Sequence, residues 1–387
     1  CNGGTNGALS ATAGGGTPTY TYQWYSADDA NGANPQIIAG ETNATLTGRA
    51  AGFYYCTIAD AAATPCSGNT NVVELTQPVL LSASNTASAY NGFGVSCNGG
   101  NNGTATAAGA DGAGSYTYSW NTTPAQTTAQ ATSLVAGTYT CTVTDANSCP
   151  MTSSSVTLNQ AASAINLSTS LTHVTGCNAQ STGEIALTVT GGTIATVYTY
   201  AWTTNGGNIP QGTDDEEDLA NLTAGIYTVV VTDDNNCTET VSVTINEPTA
   251  ISATSSQSNN NGYAVSCNGG NDGTATASGS GGTIAVGSDY DYSWEDNAAV
   301  GTVISTSATV TGLAAGTYTC TVSDDNGCST TTQEVLEAPA NATSATSTQS
   351  DNNGYAVSCF GGSNGTATAS GANGSGGYTY LWDDPNT

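Results

Sequence analysis

Apolar and polar residues alternate along this chain with a period of two. In "YTYSW" the residues Tyr116, Tyr118 and Trp120 fall on one face, with Thr117 and Ser119 on the other, which predicts a half-buried strand. In "TYTCTVTD" Tyr139, Cys141 and Val143 face one way and Thr138, Thr140, Thr142 and Thr144 the other. Before these, "GTATAAG" from Gly103 predicts a strand of small residues, and after them "MTSSSVTLNQ" alternates again. Clusters of Gly, Asn and Asp punctuate the segments as short antiparallel strands require. No helical period is present. Seven or so strands in about 80 to 95 residues predict a β-sandwich.

The same phrases recur. Tyr-x-Tyr-x-Trp ends at Trp24, Trp120, Trp202, Trp294 and Trp382, which are all five tryptophans. "CNGG" or a variant of it starts at Cys1, Cys97, Cys177, Cys267 and Cys359, and a hairpin phrase of the type "AGTYTCTVSDDNGC" closes at Cys66, Cys149, Cys237 and Cys328. Apolar runs meeting proline or small residues place module boundaries at 1–78, 79–160, 161–248, 249–339 and 340–387. The first copy opens at its "CNGG" cysteine, without its first strand, and the fifth stops just after its tryptophan. The expectation is therefore an interior piece of a longer chain.

Charge narrows the function. One residue is Lys or Arg (Arg49), 29 are Asp or Glu, and the net charge is −28. Such a surface repels nucleic acid and anionic lipid, and no run approaches a membrane span. Leu, Ile, Val and Phe are scarce enough to suggest disorder, but tyrosine and tryptophan in fixed register are the mark of a small recurring core. Twelve cysteines in register with the repeat place the chain in an oxidising, extracellular setting. Zinc is excluded by the single histidine and the lack of any CxxC pair.

The Leu-x-Ala-Gly-x-Tyr phrase before Cys141 resembles the tyrosine corner of immunoglobulin-like domains, and the tryptophan sits where their third strand carries one. The fold expected is all-β, a tandem array of immunoglobulin-like sandwiches. The chain departs from antibody domains in having no cysteine within the second strand. Taken together, "SCNGGNDGTATASG", "YDYSW", "LAAGTYTCTVSDDNGC" and a closing proline resemble SprB repeats. That resemblance implies a large surface adhesin of gliding Bacteroidota, exported by the type IX secretion system. It implies a cell-surface stalk or filament that is not an enzyme. Its partners would be neighbouring repeats, further copies associating laterally or end to end, and surface polysaccharide, without direct membrane insertion.

The candidate chemistry is sparse. His173 occurs in one copy and reads as a partly exposed strand residue, not a catalyst. The run Asp214 to Asp218 reads as a solvated loop, with weak calcium binding as the sharper reading. The turn acids Asp145, Asp233, Asp234, Asp324 and Asp325 are turn formers first, with calcium at a module junction as the alternative and no other metal or cofactor expected. Arg49 is expected to lay its stem along the corner with its guanidinium in solvent. A glycan-binding array is the alternative to the stalk, but the recurring aromatics Trp24, Trp120, Trp202, Trp294, Tyr54, Tyr139, Tyr227 and Tyr318 are expected in the core.

One hairpin phrase has Val229 where the others have Cys56, Cys141 and Cys320, so those three are expected as free core thiols. If strands alternate as in an immunoglobulin-like sandwich, the "CNGG" cysteine and the hairpin cysteine of one module lie a strand length apart, roughly 17 to 20 Å. The expected bonds therefore cross junctions: Cys1 to Cys149, Cys97 to Cys237 and Cys177 to Cys328. Cys66, Cys267 and Cys359 would pair beyond this stretch or stay free.

Overall fold

The alternating segments form antiparallel strands throughout the computed structural model, which describes residues 1–194, 196–374 and 377–383. The chain divides into two compact units. One comprises Cys1–Asn166, Val189–Thr199 and Thr232–Glu239, and the other comprises Leu167–Thr188, Tyr200–Val231 and the chain from Thr240 onward.

In the first unit, the first repeat contains β1 (Gly7–Ser10), β2 (Thr21–Ala27), β3 (Gln36–Ile37), β4 (Thr45–Arg49), β5 (Gly52–Ala59), β6 (Ser67–Asn69) and β7 (Val73–Leu75). Its sheets are β1–β4 and β3–β2–β5–β6, with β7 also on β5. The second repeat contains β8 (Ser82–Ala87), β9 (Gly103–Ala110), β10 (Thr117–Trp120), β11 (Gln130–Leu134), β12 (Gly137–Tyr139), β13 (Cys141–Thr144), β14 (Pro150–Thr152) and β15 (Val156–Leu158). Its sheets are β11–β9–β8, β10–β13–β14 and β12–β15.

The third repeat contains β16 (Asn166–Thr172), β17 (Gly183–Thr190), β18 (Thr199–Asn205), β19 (Leu219–Leu222), β20 (Gly225–Thr232) and β21 (Thr238–Ile245), in sheets β16–β17–β19 and β18–β20–β21. Wholly in the second unit, the fourth repeat contains β22 (Ser252–Gln257), β23 (Gly273–Ser280), β24 (Asp291–Asp296), β25 (Val303–Ser305), β26 (Thr309–Leu313), β27 (Gly316–Ser323) and β28 (Ser329–Leu336). It is the most regular copy: β22–β23–β26 faces β25–β24–β27–β28, the strand order of an immunoglobulin-like sandwich. Among the described residues of the fifth repeat, β29 (Ser344–Gln349) pairs with β30 (Ala367–Ala372). Its Trp382 is 57% exposed, and residues 384–387 lie outside the described residues.

Each core is built around the tryptophan strand. Trp24 pairs across to Cys56, Trp120 to Cys141 and Trp294 to Cys320. The four indoles are at most 4% exposed, and each donates its N–H to a carbonyl: Asn43, Thr128, Glu216 and Ala308. Glu216 belongs to the acidic run, so that loop is also the lid over Trp202. The tyrosine corner is present in all four copies. Tyr54 donates to the Ala50 carbonyl (3.0 Å), Tyr139 to Val135 (3.0 Å), Tyr227 to Thr223 (2.7 Å) and Tyr318 to Ala314 (3.1 Å).

Tyr54, Tyr227 and Tyr318 are buried, whereas Tyr139 is only half-buried. The second repeat stops its tryptophan strand at Trp120, while β2, β18 and β24 run on to Ala27, Asn205 and Asp296; the stretch that would cover Tyr139 is thus not strand. Arg49 also departs from expectation: its guanidinium pairs with Glu41 instead of standing alone in solvent.

Cys56, Cys141 and Cys320 are fully buried and unbonded, and burial pushes each thiol up from its ordinary value. Val229 is equally buried at the same position. A protonated thiol among apolar side chains acts as a small hydrophobe, which is why valine substitutes for it. Accordingly Cys141→Val changes stability by less than about 1.5 kcal/mol, whereas Trp120→Ala costs about 3–5 kcal/mol. Urea denaturation of the two variants checks this; similar losses in both would contradict the account of the core.

Candidate functional site at the repeat junctions

Each "CNGG" phrase closes a tight turn. The carbonyl of Cys1, Cys97, Cys267 and Cys359 accepts from the amide three residues on at 3.0 Å, and Cys177 accepts from Gln180 at 3.2 Å. The third residue has positive φ in every copy: Gly3 (72°), Gly99 (73°), Ala179 (64°), Gly269 (71°) and Gly361 (72°). That is the type II pattern, in which glycine alone is free of strain at the third position. The third copy holds an alanine there.

Turning this way aims two donors at the linker that leaves the same repeat. Asn2 Nδ2 donates to the Pro78 carbonyl (3.1 Å), Asn98 to Ala161 (2.7 Å), Asn178 to Pro248 (3.0 Å) and Asn268 to Pro339 (2.9 Å). The next amide is capped by a linker side chain: Gly3 by Gln77, Gly99 by Gln160 and Ala179 by Glu247. One or two residues further on, the linker is gripped by the repeat it enters. Gly112 N donates to the Val79 carbonyl, Gly192 N to Ser163 and Gly282 N to Thr249.

The hairpin that meets this turn is organised by an aspartate. Asp145 accepts from the amides of Asn147 and Cys149 on one oxygen and from Ala113 on the other, all at 2.9 Å. Asp233 does the same with Asn235, Cys237 and Thr193, and Asp324 with Asn326, Cys328 and Thr283. In the first repeat Asp60 takes the amides of Ala62, Cys66 and Thr17. The hairpin cysteine is thereby held at a fixed height over the neighbouring loop. The facing glycine is part of the fit: a Cβ on Gly282 would lie 2.5 Å from Asp324 Oδ2.

These amides act on the acids' protonation. The Cys149 N–H, ahead of those of Ala113 and Asn147, draws the Asp145 carboxyl below its ordinary value. At Asp324 burial pushes upward but is outweighed by the amides of Thr283, Cys328 and Asn326.

Turn and hairpin carry the cystines. Cys1 is bonded to Cys149 (S–S 2.14 Å, Cα–Cα 5.3 Å), Cys97 to Cys237 (2.07 Å, 5.7 Å) and Cys177 to Cys328 (2.13 Å, 5.4 Å). Each bond runs from the turn of one repeat to the hairpin of the next. Cys66, Cys267 and Cys359 are exposed and unbonded.

The carboxylates of the turn acids bind backbone amides. Asp233 and Asp324 spend their carboxylates on backbone amides as above. Asp234 accepts from the Thr196 amide and hydroxyl, and Asp325 from the Ala285 amide. Among the described residues no group of three or more His, Cys, Asp or Glu is placed to hold a metal. His173 lies just beyond the end of β16, exposed and outside any strand, and accepts from the Asn246 amide through Nδ1 (3.2 Å).

Two predictions follow from this geometry. Replacing Ala179 by glycine relieves the positive φ and raises stability by about 1 kcal/mol, seen as a higher urea midpoint; a loss would contradict the turn assignment. A carboxyl held below its unfolded value of 3.8 stabilises the fold above that pH, and the contribution disappears as pH falls through the lower folded value. Asp324→Asn therefore lowers Tm by roughly 5 °C at pH 7, and the gap to the parent protein begins to narrow near pH 3.8 and closes as pH falls through the lower folded value. A gap that stays constant with pH would contradict the role given to the charge.

A family profile, the SprB repeat, matches residues 1–29, 95–124, 175–207, 265–299 and 356–387. Each match opens at or just before a turn cysteine and runs through the tryptophan phrase. No curated protein matches the chain. Among solved structures, a Ca2+-stabilised adhesin of an Antarctic bacterium is 16% identical over 85% of this chain and 92% of its own, with a TM-score of 0.41. A tetra-tandem repeat from the extending region of a large adhesion protein is 14% identical over 86% and 96%, with a TM-score of 0.27. Three N-terminal domains of the outer capsid protein Hoc of bacteriophage RB49 are 16% identical over 67% and 100%, also at 0.27. With the family profile met once in every copy of its cysteine and tryptophan pattern, the chain is an array of SprB repeats.

Proposed function

We propose that the chain is a tension-bearing segment of the stalk of a cell-surface adhesin, in the manner that SprB repeats imply for gliding Bacteroidota with type IX secretion. The observation that carries this reading is that two covalent connections cross every junction with a cystine. In the fourth repeat the first and last strands run the same way. The first starts beside the Gly282 loop and leads to the Cys267 turn, while the last starts at Cys328, beside Thr283, and ends where the Glu337 carbonyl accepts from Val265 near that turn. The two touch through Ser255 and Thr332 (2.7 Å).

At a junction the last strand passes through the linker peptide into the next repeat's first strand. The first strand passes through the turn cysteine and the cystine into the next repeat's last strand. Tension entering by either line stays in extended strands, and the remaining strands of the sandwich are bypassed. Adhesive stalks need this property, because a repeat that unravels under load would lengthen the tether and release its grip.

The glycan-array reading has less support, since the indoles of Trp24, Trp120, Trp202 and Trp294 are sealed in their cores. Pulling the chain between points next to Cys1 and Cys328 tests the proposal. The shortest covalent route crosses to Cys149, follows the chain to Cys177 and crosses to Cys328, a path of about 100 Å at full extension. The oxidised protein should reach that limit without stepwise unfolding, and the reduced protein should extend in steps toward roughly 1,100 Å. Stepwise lengthening of the oxidised protein would overturn the proposal.

A further inference from the structure

The loop before the turn cysteine contains a feature that the stalk reading does not use. In the second, fourth and fifth repeats it rises into a small two-stranded finger, bridged at Tyr90 and Phe93, Asn260 and Tyr263, and Asn352 and Tyr355. The tips are Asn91-Gly92, Asn261-Gly262 and Asn353-Gly354, with both residues at positive φ, as a type I′ turn requires. A serine pins each base: Ser88 donates to the Gly94 carbonyl (2.6 Å), Ser258 to Ala264 (2.7 Å) and Ser350 to Ala356 (2.7 Å). The third repeat has no finger. Its first strand ends at Thr172, and only His-Val-Thr-Gly separates it from Cys177.

Where a finger precedes a junction with its hairpin in place, the two interlock. Asn91 Nδ2 donates to the Asp234 carbonyl (3.0 Å) and to Asn235 Oδ1 (2.8 Å). Asn235 Nδ2 answers with bonds to the carbonyls of Tyr90 (3.3 Å) and Ser96 (3.0 Å). After the third repeat, where the finger is missing, the corresponding hairpin asparagine makes one such bond, from Asn326 Nδ2 to the Thr175 carbonyl (2.9 Å).

We propose that the Asn-Gly finger is a docking surface whose partner is the Asp-x-Asn-x-Cys hairpin of the following repeat, so that junctions come in two kinds. Latched junctions, such as that between the second and third repeats, stay docked when their cystine is open. The junction after the third repeat is held by its cystine, its linker and a single asparagine bond, and it separates when the cystine opens. The fingers of the fourth and fifth repeats carry the same surface for a hairpin of the same type. This inference rests on the contrast between two junctions and not on adhesion, and the two fail separately.

A docked junction keeps its thiols together and so raises their effective concentration. The test is equilibration of the full chain in glutathione buffers, where two protein thiols and oxidised glutathione exchange to a cystine and two reduced glutathiones, with each pair quantified by mass spectrometry. Asn91→Gly keeps the tip conformation and removes the amide. It should lower the effective concentration of the Cys97 and Cys237 pair roughly tenfold, leaving the Cys177 and Cys328 and the Cys1 and Cys149 pairs unchanged. Asn235→Ala should do the same, and the double variant should be no worse than either single one. An unchanged Cys97 and Cys237 pair in Asn91→Gly would overturn the proposal. An equal fall in the Cys1 and Cys149 pair would also overturn it, because the finger would then only be stabilising its own repeat.

Discussion

The cystine that joins one repeat's turn to the next repeat's hairpin is the constraint around which the rest of the structure is arranged. A disulfide tolerates Cα separations of only about 4.4–6.8 Å, so two loops from different sandwiches must be presented to each other at a fixed height and angle. The conserved geometry of both loops serves that demand. A type II turn fixes the first cysteine and turns Asn and Gly onto the linker, while an aspartate with three amide partners fixes the hairpin cysteine. With linker and cystine both in place, each junction is a closed covalent ring.

Small cores make this arrangement valuable. The second repeat buries a cluster of nine residues around Trp120, and three of them are alanines lying opposite the indole sheet. Domains of this size bury too little apolar surface to be strongly stable alone. The cystines close loops of 148, 140 and 151 residues, each overlapping the next, and closing a loop of that length restricts the unfolded chain by about 5 kcal/mol. Stability is therefore shared along the chain instead of residing in single repeats. The core position on the tryptophan's partner strand takes no part in this, and it is occupied by cysteine or valine without consequence for the junction.

Much of the fold was legible because it depends on period-two alternation and on phrases that recur. The core faces that carry Trp120 and Cys141, the tyrosine corner and the strand of small residues from Gly103 all follow from local pattern, whereas the pairing of Trp120 with Cys141 does not. What was not legible depends on contacts between distant residues through the backbone. The asparagine after each turn cysteine binds a linker carbonyl some 60 to 80 positions away, and a carbonyl leaves no mark in the sequence. Its one trace is the Gln or Glu before the linker's Pro or Ala, which reads as a boundary until the capped amide is seen. The half-exposure of Tyr139 comes from where β10 stops, and the ion pair of Arg49 from a loop eight residues back. The acids of the hairpin are ambiguous in sequence because turn formation and calcium binding favour the same residues; the three backbone donors to Asp145, Asp233 and Asp324 come from positions that no local pattern marks. The Asn-Gly finger is visible as a turn dipeptide, but its partner lies in another repeat.

The account stands or falls on which sulfurs are joined. Non-reducing digestion with pepsin and mass spectrometry of the linked peptides measures this directly on the intact chain. The structure requires linked peptides containing Cys1 with Cys149, Cys97 with Cys237 and Cys177 with Cys328, and unlinked peptides containing Cys56, Cys141 and Cys320. A peptide linking Cys97 to Cys149 would place the bond inside one repeat and contradict the junction ring; one linking Cys97 to Cys141 would contradict the core as well.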